Sequence, residues 1–458
     1  MWITGNEIIM TNKERWLAYT DGLSSPQNYI DWGWRFIIAA SLQRRVAYGA
    51  DPKTGFMPLY ANMYGVLYGP PGTGKSILLD QVGYFMSYHK KKDFHTAKQT
   101  SSKEEAFVIA QTEKANLEIA EDSIIKAKKT GETVDPPLFP SAPDATTYEA
   151  LVDSMSGSFR RINYTKHLPD GTSKLDVYGH CSMYFKLDEL GSLFRKKADA
   201  VVNYLLGLHS CPNEYEYKTK TAGEDRVLRG CLNFIAGTTP EFMEEVSNDK
   251  LIGNGFSARC YFICANKNRK TVFSPPKLTD EQLRYRDELL AHIKELAKLY
   301  GEAKVSDETR AWLVKWWEDC ESGKIERANK SAKLDSYYAR KNIHLIKTAM
   351  MEHFGESTEL FIPQFRFEEA AEILYKEEKT MHLALTVDKG NPLAKVTNKV
   401  YDYIVKNGKS SMVDLIAEFW DDLPQGNKSM DELLQHLIAM DKIKQVVLET
   451  GQITYQPM

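Results

Sequence analysis

The segment Gly69–Ser76 combines residue types at a spacing that suits phosphate binding. It reads GPPGTGKS and matches the pattern G-x-x-x-x-G-K-S/T, in which glycines let backbone N–H groups turn inward onto phosphate oxygens. An apolar run precedes it and the helical pattern SILLDQVGYF follows, so a helix N-terminus would add its positive dipole end. These flanks argue against a chance glycine-rich turn. We expect Lys75 to contact the β- and γ-phosphates of ATP and Ser76 to bind Mg²⁺. The residues predicted to bind the nucleotide are Gly69, Pro70, Pro71, Gly72, Thr73, Gly74, Lys75, Ser76 and Ile77.

Two acidic residues, Asp188 and Glu189, end the apolar, strand-like run MYFKLDE. In phosphate-loop ATPases such an Asp holds the Mg²⁺ shell, and the adjacent Glu polarises the attacking water as a general base. The alternative is an ordinary pair of carboxylates at a strand end, and the loop upstream favours the catalytic role. The long separation from Lys75 is explained by a predicted helical insertion at about residues 100–135.

Four further residues are candidates for contacts with the γ-phosphate. Thr238 and Thr239 end the strand-like run CLNFIAGT and its extension, where a hydroxyl could bond the phosphate or the water; the alternative is a cap for the helix after Pro240. Arg259, which follows a glycine-rich loop, is a candidate cationic finger acting from a neighbouring subunit. Arg340 opens a long amphipathic helix and could reach back to the nucleotide. For both arginines the alternative is a structural or surface role.

A hairpin is predicted across residues 213–230. Tyr215 and Tyr217 alternate with charged residues at the period of two that a strand requires, and Lys218 and Lys220 lie toward the turn. Basic and aromatic side chains interleaved in this way could grip the backbone and stack on the bases of a single-stranded nucleic acid. The alternative is a solvated hairpin with no ligand.

Composition limits the classes of protein that this chain can be. Its 458 residues predict two to four domains, and a net charge of −3 restricts any nucleic-acid surface to a local patch. The six cysteines form no CxxC pair, which favours reduced core thiols over a zinc site. No apolar run reaches the ~18 residues that span a bilayer, and the N-terminus lacks the pattern of a signal peptide. We therefore expect a cytoplasmic protein with no membrane partner.

The last part of the chain, residues 393–458, shows the order of a winged helix. A helix at Lys395–Lys406 is followed by a second that Ser411 opens and a third that Ser429 caps, and then by a hairpin. The segment has seven lysines, no arginine and nine acidic residues, a balance that disfavours DNA binding and favours contact with a protein partner.

Apolar strands interleaved with helices predict an α/β fold with a parallel, doubly wound sheet. Pro275–Pro276 and Gly390–Pro392 mark boundaries. The predicted domains are an N-terminal helical collar at 1–58, an ATPase core at 59–274, a helical lid at 275–390 and the winged helix at 393–458.

These residues together resemble the AAA+ ATPases of superfamily 3 helicase type found in phages, plasmids and mobile elements. The resemblance covers roughly residues 25–355. It implies ring assembly, Arg259 acting in trans, a central-pore hairpin and DNA unwinding. The sequence departs from the family in having Thr238 and Thr239 where an Asn is usual, and it lacks the primase part that relatives often carry. The motifs that carry the resemblance are ASLQRRV, GPPGTGKS, PDATTYEAL, FKLDELGSLF, IAGTTPEFM, GNGFSARCYF and YYARKNIHLIKTAM.

The site residues predict an ATP- and Mg²⁺-dependent ATPase. The resemblance implies that it forms a ring, expected to be hexameric, and works as a DNA helicase or translocase on single-stranded nucleic acid in replication of a phage or mobile element. Two alternatives stay open at this point. One is a DNA-packaging or transposition motor that works on duplex, and the other is an ATP-dependent switch that binds protein partners without unwinding.

Overall fold

The computed structural model describes residues 10–49, 58–97, 139–142, 148–167, 172–194, 198–219, 223–246, 255–273, 276–385, 392–423, 427–440, 442–447 and 453–457. The predicted insertion at about residues 100–135 lies outside them. The chain divides into two compact units, Met1–Thr386 and Val387–Met458. Both units mix helices and strands, so the fold is α/β.

The larger unit contains ten strands and twelve α-helices among its described residues. Its strands are β1 (Val46–Tyr48), β2 (Leu59–Tyr60), β3 (Tyr64–Tyr68), β4 (Phe159–His167), β5 (Ser173–Leu187), β6 (Glu214–Thr219), β7 (Gly223–Leu228), β8 (Gly230–Thr238), β9 (Tyr261–Cys264) and β10 (Gly301–Ala303). Its helices are α1 (Asn12–Tyr19), α2 (Gln27–Leu42), α3 (Lys75–Ala97), α4 (Tyr148–Gly157), α5 (Gly191–Phe194), α6 (Ala198–His209), α7 (Pro240–Val246), α8 (Asp280–Leu296), α9 (Asp307–Glu321), α10 (Asp335–Tyr338), α11 (Lys341–Glu356) and α12 (Gln364–Leu385).

The main sheet has five strands in the order β4-β5-β8-β3-β9. β5, β8, β3 and β9 are parallel, and β4 adds to β5 in the antiparallel direction. Side chains alternate between two cores: Tyr64 and Val66 of β3 lie in one, and Leu67 lies in the other. A sheet covered on both faces in this way explains the continuous apolar runs of its strands.

The sheet has two ends that matter for the site. Because the parallel strands run in one direction, their C-terminal ends meet at one edge, where Gly69–Ser76 follows β3; we call this the loop edge. Their N-terminal ends meet at the other edge, where Arg259 precedes β9; we call this the arginine edge.

Two sequence predictions require correction here. The apolar run Ile30–Val46 predicts a helix of those bounds, but the helix begins at Gln27 and ends at Leu42, because Gln43 takes a positive φ of 55° that a helix cannot continue. Val46–Tyr48 is a strand. The run CSMYFKLDE predicts a strand from residue 181, but that strand begins at Ser173. It pairs with β4, whose sequence FRRINYTKH carries too many polar residues to reveal a strand.

The N-terminal helices and the helices after residue 276 share one core. Trp16 of α1 and Phe36 of α2 lie in the same buried cluster as Leu289 of α8 and Met350 of α11. β10 also pairs in parallel with β1. The segments predicted as a collar and a lid are thus packed together within one compact unit. Among the described residues, no helix has the length and apolar character needed to cross a membrane.

Within its described residues, the smaller unit has three helices and a small antiparallel sheet, in which β13 (Ile453–Pro457) lies between β11 (Ser410–Ser411) and β12 (Ile443–Val447). The predicted capping box at Ser411 and Asp414 and the predicted final hairpin are confirmed. The prediction that Ser429 caps the third helix is wrong, because that helix begins at Asn427. The elements are α13 (Pro392–Asn407), β11 (Ser410–Ser411), α14 (Met412–Phe419), α15 (Asn427–Ala439), β12 (Ile443–Val447) and β13 (Ile453–Pro457).

Candidate nucleotide-binding site

The loop Gly69–Ser76 joins β3 directly to α3, which begins at Lys75. Gly72 and Gly74 have φ values of +80° and +72°, a region that glycine enters without steric cost. A side chain on Gly69 would collide with the carbonyl oxygen of Ala265, whereas one on Gly72 would meet nothing within 4 Å. The loop is therefore packed tightly at its start and open at its tip, where an anion could approach the backbone.

Lys75 lies at the base of the loop and is only 8% exposed. Its Nζ donates to the carbonyl oxygens of Gly69 at 2.6 Å and Pro70 at 3.0 Å. Burial lowers the pKa of the Lys75 ammonium, while the charges of Glu189 and Glu241 act in the opposite direction. Phosphate oxygens could take the place of these carbonyls as partners of the ammonium.

The start of α2 holds the loop in place, a contact that the sequence did not reveal. Ser25 Oγ donates to the Gly74 carbonyl oxygen at 2.7 Å, and Tyr29 Oη donates to the Tyr68 carbonyl oxygen at 2.6 Å. A side chain on Gly74 would come within 2.9 Å of the Ser25 Cα. No spacing rule could have identified this support, since Ser25 lies far from the loop in sequence.

The predicted acidic pair lies beside the loop because β8 and β5 follow β3 in the sheet. Leu190 N donates to the Gly237 carbonyl oxygen at 2.7 Å, which fixes the chain just after Asp188 and Glu189. A side chain on Gly237 would lie 2.5 Å from the Asp188 carbonyl oxygen and 3.5 Å from Lys75 Cδ. Asp188 is exposed and Glu189 is half-buried. The structure thus brings both carboxylates to the loop edge.

The two threonines at the end of β8 have different environments. Thr239 follows the strand, and its Oγ1 accepts a bond of 3.4 Å from Phe242 N of α7, the capping alternative. Thr238 pairs with Tyr68 at the end of β3 and is fully buried. Among the described residues, its Oγ1 has no hydrogen-bond partner. Thr238 is therefore the better placed hydroxyl for a ligand in the loop.

Ser76 and Ile77 lie on the first turn of α3, and both are exposed. Ser76 thus lies at the same edge as the exposed Asp188. A hydroxyl and a carboxylate are hard oxygen ligands of the kind that Mg²⁺ takes together with phosphate oxygens. The residues present thus fit the predicted magnesium nucleotide.

Arg259 and Arg340 lie together, at the arginine edge. Both line a cavity of about 190 Å³ with Asn62, His209 and Lys347. Arg259 Nη1 donates to the Gly255 carbonyl oxygen at 2.9 Å. Arg340 lies away from the phosphate loop of its own chain, so the prediction that it reaches back to that nucleotide is not met within one subunit.

This cavity is strongly cationic. Lys347 is buried, and its Nζ donates to the backbone oxygen of Asn62 at 3.0 Å and to its side-chain oxygen at 2.6 Å. Burial lowers the pKa of Lys347 to about 8. Burial, Lys347 and nearby cations hold the pKa of His209 well below its usual range. Burial and, after it, the charge of Arg340 lower the pKa of Arg259. Such a cluster of positive charges would stabilise an anion that binds in or near the cavity.

The predicted hairpin forms as β6 and β7, which pair antiparallel from Glu214 to Leu228. Tyr215 is half-buried and packs edge-on against Tyr204 of α6, with 5.2 Å between ring centroids. Tyr217 and Lys218 belong to β6, but their side chains, like all of Lys220, lie outside the described residues. Of the predicted nucleic-acid residues, Tyr215 is thus the one whose side chain is placed, and it packs inward.

A comparison with protein-family models found no match to this sequence. A search among curated proteins also found no match.

Proposed function

We propose that this chain is an AAA+ ATPase of superfamily 3 type that assembles into a ring and works as a DNA helicase in replication of a phage or mobile element. One observation carries the proposal. The phosphate-loop pattern, the Asp188–Glu189 pair and the buried hydroxyl of Thr238 end three neighbouring strands at one edge of the sheet.

In this proposal each residue of the loop edge has one task. The amides of Gly72–Gly74 and the ammonium of Lys75 hold the phosphates, and Ser76 with Asp188 holds the Mg²⁺ ion. The ion neutralises charge on the phosphates when it is bound. Glu189 accepts the proton of the attacking water, and Thr238 Oγ1 orients that water or the γ-phosphate.

The arginine edge supplies the remaining charge from a neighbouring subunit. Arg259 cannot serve its own loop, because it lies at the opposite ends of the same parallel strands. We assign the same trans role to Arg340, which lines the same cavity. A head-to-tail contact of this kind closes into a ring when the rotation allows it.

The smaller unit supports a winged-helix assignment through its order of three helices and an antiparallel hairpin. Its third helix, α15, exposes Asp431 and Glu432, which disfavours a phosphate backbone. We propose that this unit contacts a protein partner.

The test measures ATP hydrolysis and strand displacement on a forked DNA in one preparation. Lys75→Ala should abolish hydrolysis, because Lys75 is the cation that the loop itself places against the β- and γ-phosphates. Lys267→Ala, an exposed lysine at the same edge, is the control and should remain active. Hydrolysis with no strand displacement would favour the packaging motor or the protein switch. Full turnover by Lys75→Ala would reject the catalytic site.

A further inference from the structure

Arg44 follows α2 and is one of the most deeply buried charged residues of the chain, at 2% exposure. It belongs to the motif ASLQRRV, for which the ATPase chemistry above supplies no task. Its guanidinium has no carboxylate partner among the described residues. A buried charge without an ion-pair partner must be compensated by hydrogen bonds, and these show what Arg44 holds.

The Arg44 side chain joins the bases of two hairpins. Nη2 donates to the Cys211 carbonyl oxygen at 2.7 Å and to Asn213 Oδ1 at 2.9 Å, and both residues lie just before β6. Nη1 donates to Tyr178 Oη of β5 at 3.1 Å, and the Arg44 backbone N donates to Ser182 Oγ at 3.2 Å. One planar fork therefore connects the β6–β7 hairpin to the β4–β5 hairpin.

The backbone around Arg44 is strained. Among the described residues, the non-glycine residues with positive φ are Gln43, Cys211 and Arg229. Gln43 precedes Arg44, Cys211 accepts its hydrogen bond, and Arg229 N donates to the Asn213 carbonyl oxygen at 2.7 Å where β7 ends. Such conformations persist where the surroundings fix them, and they concentrate at functional positions.

The other end of α2 holds the phosphate loop. Ser25 and Tyr29 bond the loop and the end of β3, as described above. Between the two ends, α2 spans about 24 Å at 1.5 Å per residue and is buried along most of its length. Gly33 lets it approach α3 closely, since a side chain there would lie 2.7 Å from Leu78 Cδ1. A helix packed in this way moves as one body.

We infer that Arg44 is a positioning residue that couples the phosphate loop to the β6–β7 hairpin through α2. A shift of the loop on nucleotide binding displaces Ser25 and Tyr29. The helix carries this displacement to Arg44, which moves the base of the hairpin through Cys211 and Asn213. This inference rests on the proposed function, because it assumes that the loop binds a nucleotide.

The neighbouring Arg45 provides a matched control. It is equally buried, but its side chain donates to Leu42 O at 3.3 Å and to Ser41 O, which belong to the end of its own helix. Within the part of the chain that the structure describes, Arg45→Lys therefore perturbs a buried arginine at the same place without removing a side-chain hydrogen bond to a hairpin. Arg44→Lys keeps the charge but cannot make the bonds of the fork.

The experiment follows hydrogen–deuterium exchange of residues 214–228 in the full chain, with and without Mg²⁺ and a non-hydrolysable ATP analogue. Binding of a fluorescent ATP analogue is measured separately. In the wild type and Arg45→Lys, the nucleotide should change the exchange rate of this segment by about 2- to 30-fold, the range expected of such coupling. In Arg44→Lys this change should disappear while nucleotide binding persists.

A wild-type response in Arg44→Lys would overturn the inference. If that variant fails to fold, Asn213→Ala decides, because Asn213 is exposed and its replacement removes one acceptor of the fork; a reduced response supports the inference and an unchanged one rejects it. Failure of the wild type to bind the nucleotide would overturn the proposed function and this inference together. Normal binding with no hairpin response would overturn the inference alone.

Discussion

Charged residues at the two edges of the main sheet differ in their burial and in their hydrogen-bond partners. At the loop edge, the acidic group of Asp188 is exposed and Lys75 is held by two carbonyls of its own loop. At the arginine edge, Arg44 and Lys347 are buried and bonded to backbone and amide oxygens. At the loop edge, Lys75 can therefore exchange its carbonyl partners for phosphate oxygens. At the arginine edge, the hydrogen bonds of Arg44 and Lys347 hold their side chains in place. We propose that the loop edge receives the nucleotide and that Arg259 and Arg340, at the arginine edge, approach the nucleotide of a neighbouring subunit.

The largest expected effect divides the two edges between subunits. Arg259→Ala should lower the rate of hydrolysis by about 10³- to 10⁵-fold, as loss of an arginine finger does. Mixing Arg259→Ala with Lys75→Ala should restore part of the activity, because some interfaces then join an intact loop to an intact finger. Arg340→Ala should be rescued in the same way.

The control for this experiment mixes Lys75→Ala with Glu189→Gln. Both residues lie at the loop edge, so no interface contains a complete site and activity should stay low. Absence of rescue for Arg259→Ala, with co-assembly shown by mass measurement, would contradict a role in trans.

The next effect compares two glutamates of the loop edge. Glu189→Gln should bind ATP normally and slow hydrolysis by about 10²- to 10⁴-fold, because the water loses its general base. Glu241→Gln changes an exposed glutamate whose charge also acts on Lys75 and should remain active. Single-turnover hydrolysis and nucleotide binding are measured for both variants. Similar rates in the two would mean that another carboxylate is the base.

A smaller effect concerns the β6–β7 hairpin, which lies between β5 and β8 along the chain. Replacement of Lys218 and Lys220 by Ala should weaken the binding of single-stranded DNA and reduce its stimulation of ATP hydrolysis. The slope of log K against log salt should become shallower by roughly 0.7 for each DNA phosphate that the variant no longer neutralises. The control pair is Lys315→Ala with Lys324→Ala, two exposed lysines that lie on α9 and just after it. An unchanged slope would identify the hairpin as a solvated loop.

The smallest effect tests the fixed charges of the arginine edge through pH. The pKa of Lys347 is about 8 in the folded chain, below its ordinary value of 10.5. Between these values the unfolded chain binds more protons, so the free energy of unfolding should rise with pH, by at most about 1.4 kcal/mol per pH unit. Lys347→Met should remove this part of the rise. Urea unfolding of both proteins at pH values of about 7.5 and 9.5, on either side of the folded-state pKa, measures this rise in the free energy of unfolding. An equal rise in the wild type and in Lys347→Met would contradict a lowered pKa for Lys347.

The elements that could be predicted from the sequence are those encoded by residues close together in the chain. The loop Gly69–Ser76, the strand just before Asp188 and the hairpin of β6 and β7 all carry a local pattern, and the structure has each of these elements. The hydrogen bond from Ser25 to the phosphate loop and the proximity of Arg259 to Arg340 depend on contacts between distant segments. No local pattern encodes such contacts. The end of α2 at Leu42 was missed for a related reason: the fork of Arg44, a tertiary contact, fixes the backbone there.

The parallel pairing of β1 with β10 sets an order of events during synthesis of the chain. Val46 pairs with Gly301, and Arg35 of α2 forms an ion pair of 2.6 Å with Glu352 of α11. The first helices therefore leave the ribosome long before their partners exist. Contacts so distant in sequence slow folding and leave apolar surface open in the meantime. The N-terminal helices therefore keep part of their apolar surface exposed until the last third of the larger unit has been synthesised.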